Sequence, residues 1–312
     1  MKTPTELPTE QDFDRQLPPI SHLMSEPPRE GGPAVAMQTE DALVTPDNPP
    51  WGVLAAVGVW LASVLLLAFL QIFAVIPYAL SQGLDAQAVA EFISTDKTAI
   101  LLSLVAVFPA HLLTLALVWA VVTRFGKMPF WHTLGWSWSE NFGLWTSVAL
   151  AVGLLILGAV LTNIFGAQET ALEQMLNSSY AARLTIAALA TFTAPLVEET
   201  VYRGVLYSAL QRRIGAMWAI TGVLILFTLV HVPQYYQNLS VVVTVGLLSL
   251  ALTLVRARTG KLLPCVVIHL IFNGIQSLII VFEPFKNLLP ETKQQTQGCL
   301  APLVAHAAQL LF

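Results

Sequence analysis

The sequence predicts an all-α protein, a polytopic integral membrane bundle of about seven transmembrane helices. Composition is the first observation behind this prediction. The chain has 312 residues, of which 55% are hydrophobic and only 11% are charged, whereas a typical soluble domain has about 25% charged residues. The second observation is length, because several apolar runs exceed about 18 residues, which is enough for a helix to cross a bilayer.

The apolar runs place the helices in order along the chain. The predicted spans are 51–81, 99–123, 143–166, 181–212, 216–232, 239–256 and 262–282. The fourth is the longest, and Pro195 predicts a kink within it because proline removes one helix hydrogen bond. The segment 168–180, which contains Glu169 and Glu173, is predicted to be a loop or an interfacial helix.

Composition also divides the chain into four regions. Residues 1–50 hold nine acidic and three basic residues and are rich in proline, as in a disordered tail. Residues 51–142 contain the first two spans and a loop, and residues 143–282 contain the other five spans. Residues 283–312 form a C-terminal tail, whose apolar stretch 299–312 is too short to cross a bilayer and is predicted to be an interfacial helix.

Basic residues predict the orientation in the membrane. They follow the second, fourth and sixth spans, and they are Arg124, Lys127, Arg212, Arg213, Arg256, Arg258 and Lys261. The loops after the odd-numbered spans carry almost none. Because cytoplasmic loops are enriched in Lys and Arg, these three loops and the N-terminus are expected in the cytoplasm, with the protein in the cell membrane.

Composition excludes some partners and types of site. No basic patch interleaved with aromatic residues is present, so we expect no nucleic-acid partner. The two cysteines, Cys265 and Cys299, are too few for a disulfide framework or a zinc knuckle. The expected partners are the lipid bilayer and a membrane-associated peptide or protein substrate.

Charge in the fourth span is the strongest functional signal. A carboxylate at the centre of a spanning helix costs about 2.5–3.5 kcal/mol on insertion scales, yet Glu198 and Glu199 are adjacent there. Arg203 lies four residues after Glu199, on the same helical face, so the two side chains can pair. Glu198 has only Tyr202 as a near neighbour on its own face, and an unpaired carboxylate suits a general base. A buried clamp between helices is the alternative interpretation.

Two later spans supply polar groups at the same i, i+4 spacing. Phe227 and His231 lie in the fifth span, and His269 and Asn273 lie in the seventh. Imidazole can orient a water molecule, bind a metal or donate to an oxyanion, and the amide of Asn273 suits the same oxyanion. His111, in the second span, is predicted to be a packing residue.

Three strings of residues resemble the motifs of one membrane protein family. Glu198-Glu199-Thr200-Val201-Tyr202-Arg203 fits EExxxR, Phe227-x-x-x-His231 fits FxxxH, and His269-x-x-x-Asn273 fits HxxxN. These are the motifs of the CPBP family, also called CAAX prenyl protease 2-like or Abi domain proteins, and they occur here in the family's order. The resemblance covers about residues 143–282.

The resemblance implies a hydrolase, an intramembrane endopeptidase that cleaves a membrane-associated or lipid-modified peptide. By this analogy Glu198 activates water with help from His231, and His269 and Asn273 form the oxyanion hole. Glu199, Arg203, Phe227 and Tyr202 are then supporting residues.

The family is often classed as metalloprotease, and Glu198, His231 and His269 are the candidate zinc ligands. The sequence lacks HExxH, the helix motif of many zinc proteases. We therefore favour a glutamate-activated water that requires no cofactor, with zinc as the alternative.

Two other functions remain open from the residues alone. One is a non-catalytic scaffold or immunity protein of the same family. The other is a proton-coupled transporter, because intramembrane carboxylates and histidines also build proton relays. The peptidase interpretation requires Glu198 and both histidines to share one cavity, although simple helix lengths place them at different depths.

Overall fold

All named elements within the described part of the chain are helices. The structure is a computed structural model that describes residues 44–84, 86–166 and 168–282. The helices are α1 Val53–Ser81, α2 Ala86–Thr95, α3 Lys97–Thr123, α4 Phe130–Leu134, α5 Leu144–Phe165, α6 Ala171–Ser178, α7 Tyr180–Ile214, α8 Ala216–Tyr235, α9 Leu239–Thr259 and α10 Leu263–Phe282. Seven of them, α1, α3, α5 and α7 to α10, are long and apolar enough to span a membrane. The predicted fold class is confirmed.

Large apolar side chains on the outside of the bundle are consistent with a lipid environment. Leu54, Phe73, Phe192 and Trp218 each expose more than half of their surface. In water such a surface would be an aggregation or binding patch, whereas lipid solvates it. The protein is therefore an integral membrane protein.

Helix α7 lies at the centre of the bundle. It contacts α1, α3, α8 and α10, and its second half also contacts α9. Around it, α1 packs on α3, α8 packs on α9, and α5 packs on α10. Side chains on α7 are therefore shielded from lipid by helices on several sides, which allows charged groups to be buried there.

The predicted irregularity in α7 takes the form of two π-helical turns. They are Leu189–Thr193 and Thr200–Leu206, on either side of the helical segment Ala194–Glu199. Pro195 lacks the N–H that would bond to the preceding turn, and the first wide turn lies directly before it. Such turns are frequent at functional sites, and here they bracket both glutamates.

Residues 44–50, which the composition assigned to the tail, are packed against the helices. Thr45 and Asn48 form an isolated bridge, and Pro49 is buried. Residues 1–43 of the predicted tail lie outside the described residues. So do the predicted interfacial helix at 299–312 and Cys299. The segment 168–180 does contain a helix, α6.

Gly135 makes a tight contact with the packed N-terminal residues, which leads to the first prediction. Its φ is +76°, and a Cβ there would lie 2.8 Å from the carbonyl oxygen of Gly260 and 2.9 Å from Cγ of Pro46. We expect Gly135→Ala to lower the free energy of unfolding by about 1–3 kcal/mol, seen as a lower Tm in detergent. Gly153→Ala in α5 is the control, because its Cβ would meet nothing within 4 Å. Equal Tm values for both variants would contradict the prediction.

Candidate active site

The fully buried ion pair of Glu199 and Arg203 forms the base of the site. Oε1 of Glu199 lies 3.0 Å from Nη1 of Arg203, and neither side chain is exposed. The pairing expected from the i, i+4 spacing is therefore present. Arg203 also donates to Oγ1 of Thr253 at 3.2 Å, and to the carbonyl and hydroxyl oxygens of Ser249 at 3.0 and 2.8 Å. These acceptors on α9 offset the cost of burying the guanidinium.

His269 lies between the two adjacent glutamates. Its Nδ1 is 2.8 Å from Oε1 of Glu199, and its Nε2 is 3.9 Å from Oε2 of Glu198. A carboxylate only accepts, so Nδ1 carries the proton that binds Glu199. This contact turns Nε2 of His269 toward Glu198. The 3.9 Å gap is too long for a direct hydrogen bond and is a distance that a water molecule can bridge.

His231 is oriented by its own helix. Its Nδ1 lies 2.7 Å from the carbonyl oxygen of Phe227, one turn earlier. Since a carbonyl oxygen only accepts, Nδ1 donates, and Nε2 of the neutral ring is left as an acceptor. The imidazole also stacks on the ring of Phe227, with centroids 4.6 Å apart.

Phe227 connects His231 to the buried ion pair. The guanidinium carbon of Arg203 lies 4.6 Å from the centroid of the Phe227 ring, within the range of a cation–π contact. Tyr202 contacts the same ring edge-on at 5.0 Å, and its hydroxyl accepts from Nε1 of Trp60 at 3.0 Å. Phe227 and Tyr202 thus link His231 to the buried ion pair, and their role as supporting residues stays a prediction.

Asn273 is fixed by a backbone group in the first π-helical turn. Its Nδ2 donates to the carbonyl oxygen of Ala190 at 3.0 Å. The amide has two N–H groups, so one remains for a ligand. Asn273 is itself almost fully buried, so its orientation is held by packing as well as by this bond.

All four predicted catalytic residues line a single cavity. Its lining consists of Glu198, Phe227, His231, Val245, Leu248, His269 and Asn273. The space open to the centre of a water molecule is about 20 Å³, and about 10–15 Å³ is enough to hold one water. Glu198 is 24% exposed, so its carboxylate is the part of the acidic pair that a water molecule can reach.

His231 and His269 line the same cavity, and the length of the fourth span explains how they reach the same depth. His231 lies about 22 Å along α8 from its start, whereas His269 lies about 9 Å along α10 from its start. Helix α7 continues for about 16 Å beyond Arg203 before α8 begins. Subtracting the second length from the first places His231 about 6 Å deeper in the bundle than Arg203. Glu199, four residues before Arg203 on α7, lies at about the same depth. The depths of the glutamates and the two histidines, which conflicted when they were counted from the sequence, therefore agree in the structure.

One charged contact near the site was missed from the sequence. Arg256 was counted as a loop cation, but it lies within α9 and is fully buried. It pairs with Asp47, which was placed in the tail. The only available signal was that Arg256 ends an apolar run. His111 is buried, and its Nδ1 lies 2.9 Å from Oγ1 of Thr193, in agreement with its predicted packing role.

The candidate zinc ligands do not form a metal site. Within residues 44–84, 86–166 and 168–282, no three His, Cys, Asp or Glu side chains are grouped closely enough to hold a metal ion. A zinc site in an enzyme uses three protein ligands and an open position. The Nδ1 contacts of His231 and His269 with Phe227 and Glu199 are also typical of metal-bound histidines. It is therefore the spacing of the donors, and not their hydrogen bonding, that does not fit zinc.

Comparison with known proteins agrees with the motifs. Residues 180–275 match the model of the family described as type II CAAX prenyl endopeptidase Rce1-like. The matched segment runs from the start of α7 into α10 and includes all three motifs. No curated protein and no solved structure matches the chain. The matched family is one of proteases, which supports a peptidase in general. The predicted resemblance is thus confirmed: residues 180–275 match the Rce1-like family model, and this match supports the CPBP/CAAX protease family.

Proposed function

We propose that the protein is an intramembrane endopeptidase in which Glu198 activates a water molecule to cleave a peptide bond. One observation carries the proposal. The carboxylate of Glu198 faces Nε2 of His269 across 3.9 Å, in a cavity that also includes His231 and Asn273. Glu198 is the base and His231 the hydrogen-bond acceptor in this arrangement. His269 and Asn273 are the two potential donors, and the space between these groups is large enough for one water molecule.

The hydrolysis proceeds in two steps. Glu198 accepts a proton from the water as its oxygen attacks the carbonyl carbon of the substrate, and the carbonyl oxygen becomes an oxyanion. Nε2 of His231 accepts a hydrogen bond from the same water and aligns it. The protonated Glu198 then passes its proton to the amide nitrogen, the C–N bond breaks, and the products are a carboxylic acid and an amine.

The oxyanion is stabilised from α10. Asn273 donates its second N–H, because the first is bound to the carbonyl of Ala190. His269 donates from Nε2 when the ring carries two protons, while Glu199 retains the Nδ1–H. A carboxylate behind an imidazole stabilises the charged ring in the same way as in the serine protease triad. Preorganised donors of this type are often the largest contribution to catalysis.

The substrate is a membrane-associated or lipid-modified peptide, and a prenylated CaaX tail is the first one to test. The family match and the site's position inside a membrane bundle support this choice. The N-terminus and the loops rich in Arg lie in the cytoplasm. Such tails are cytoplasmic, so they would approach the bundle from the end that carries Arg212 and Arg256.

Reconstitution in proteoliposomes tests the proposal directly. Matched farnesylated and unmodified peptides are incubated with the wild-type protein, and mass spectrometry identifies the cleaved bond. Comparing membrane peptidomes of cells that express wild type or Glu198→Gln then searches for the native substrate. We expect cleavage that disappears in the variant. If neither assay shows cleavage that depends on Glu198, the protein is a scaffold or a transporter instead.

Chelation separates the metal-free reaction from a zinc reaction. We expect the rate of cleavage to stay within about twofold after 1,10-phenanthroline or EDTA treatment, because the buried donors do not group as metal ligands. Added zinc should not increase the rate. Loss of activity on chelation, with recovery on zinc addition, would contradict the proposed role of Glu198 as a base acting alone.

A further inference from the structure

The residues that precede the first span form a strap across one end of the bundle. We call residues 44–51 the N-terminal strap. Nε1 of Trp51 donates to the carbonyl oxygen of Val205 at 3.0 Å. Arg212 donates to the carbonyl oxygens of Pro49 and Trp51, and Arg124 donates to that of Pro50. The strap is therefore held by α7 and by Arg124, which directly follows α3, through groups that do not involve its acidic residue.

That acidic residue, Asp47, reaches a buried cation. Its Oδ1 lies 3.0 Å from Nη1 of Arg256, whose side chain is fully buried. Nη2 of Arg256 also donates to the carbonyl oxygen of Pro46 at 2.8 Å and to Oγ of Ser208 at 3.1 Å. These last two acceptors are neutral. Asp47 therefore supplies the counter-charge that a buried guanidinium requires.

Arg256 in turn contacts the base of the candidate active site. Its Nε donates to the carbonyl oxygen of Arg203 at 3.3 Å. Arg203 lies in the second π-helical turn and pairs with Glu199, and Glu199 accepts from Nδ1 of His269. A continuous path of hydrogen bonds and ion pairs thus leads from the exposed edge of the strap to the imidazole in the cavity.

We propose that Asp47 is a positioning residue for the reaction, acting through Arg256 on the placement of Arg203, Glu199 and His269. This inference rests on the proposed peptidase function. Without the Asp47 carboxylate, Arg256 is an uncompensated buried cation, and it moves toward other acceptors or toward water. Because Arg256 holds the backbone of Arg203, that movement loosens the ion pair that orients His269.

The strap itself remains docked when the carboxylate is removed, which makes the inference testable. Trp51, Arg212 and Arg124 keep their backbone contacts in Asp47→Asn. The amide can still accept a hydrogen bond but has no charge. Any change in catalysis then comes from the charge on Arg256 and not from an unfolded segment.

The experiment compares kinetics of three full-length variants in proteoliposomes. We expect Asp47→Asn to lower kcat about 3- to 30-fold with KM within about twofold of wild type. Asp47→Glu, whose carboxylate can still reach Arg256 from the half-exposed position, restores most of kcat. Asp96→Asn is the control, because Asp96 is also a structural carboxylate and caps α3 through the N–H groups of Thr98 and Ala99. It lowers Tm but leaves kcat unchanged.

A double-mutant cycle tests the route through Arg256. If Asp47 acts through Arg256, adding Asp47→Asn to Arg256→Gln causes no further loss of kcat. Wild-type kcat in Asp47→Asn, equal losses in Asp47→Asn and Asp96→Asn, or additive losses in the double variant would each overturn the inference. An inactive wild-type protein would instead refute the proposed function, so the two failures are distinct.

Discussion

Glu198→Gln is expected to lower kcat for peptide cleavage by about 10²–10⁴-fold, the contribution typical of a general base. The glutamine keeps the size of the side chain but cannot accept a proton from water. Among the described residues Glu198 makes no ion pair as close as that of Glu199, and its side chain is partly exposed. We therefore expect the variant to fold, with a Tm close to that of wild type and little change in KM.

Initial rates and size-exclusion profiles of the purified variant check both parts of this expectation. Glu140→Gln is a matched control, because Glu140 is an exposed acid between α4 and α5 and undergoes the same chemical change. Its rate should equal that of wild type. A Glu198→Gln protein that cleaves within tenfold of wild type would show that another group deprotonates the water.

The arrangement of the spans could be predicted because apolar runs set their length. All seven predicted spans begin within two residues of the observed helices, and five of them also end within two residues. The fifth shows the limit of the method. It was expected to stop at residue 232 but continues to Tyr235 through Pro233, because a proline in the last turn of a helix is tolerated when its neighbours hold the chain.

The members of the cavity could be predicted, but their hydrogen bonds could not. The i, i+4 spacing of each motif fixes which residues share a helical face. It does not show which side chain of another helix each will meet. Glu199 was therefore assigned only to Arg203, and its contact with His269 required the relative positions of α7 and α10.

The depth of the site in the membrane could not be predicted, because it depends on how far α7 extends beyond Arg203, and composition does not reveal that length. Counting residues from basic loops assumed that every span begins at the same level of the membrane. Helix α7 continues well past Arg203, so α8 begins lower than its neighbours. Arg256 was counted with the loop cations because it ends an apolar run, although the strap and Ser208 surround it inside the bundle.

Glu199→Gln is expected to lower both stability and activity, because Glu199 has two charged or polar partners. Arg203 would lose its carboxylate while remaining fully buried, a change that typically costs about 3–5 kcal/mol. His269 would also lose the acceptor that holds its Nδ1–H. By analogy with the triad carboxylate of serine proteases, whose amide variant stabilises the wrong tautomer, kcat should fall by about 10²–10⁴-fold.

His269→Ala separates these two effects, because it removes the imidazole and leaves the pair of Glu199 and Arg203 in place. We expect a comparable loss of kcat in His269→Ala and Glu199→Gln, but a markedly larger fall in Tm for Glu199→Gln. Circular dichroism in detergent measures the Tm, and saturation kinetics in proteoliposomes measure kcat. If Glu199→Gln lost stability while its folded fraction kept wild-type kcat, Glu199 would serve only to neutralise Arg203. The orientation of His269 would then be set by packing against α7 and not by the carboxylate.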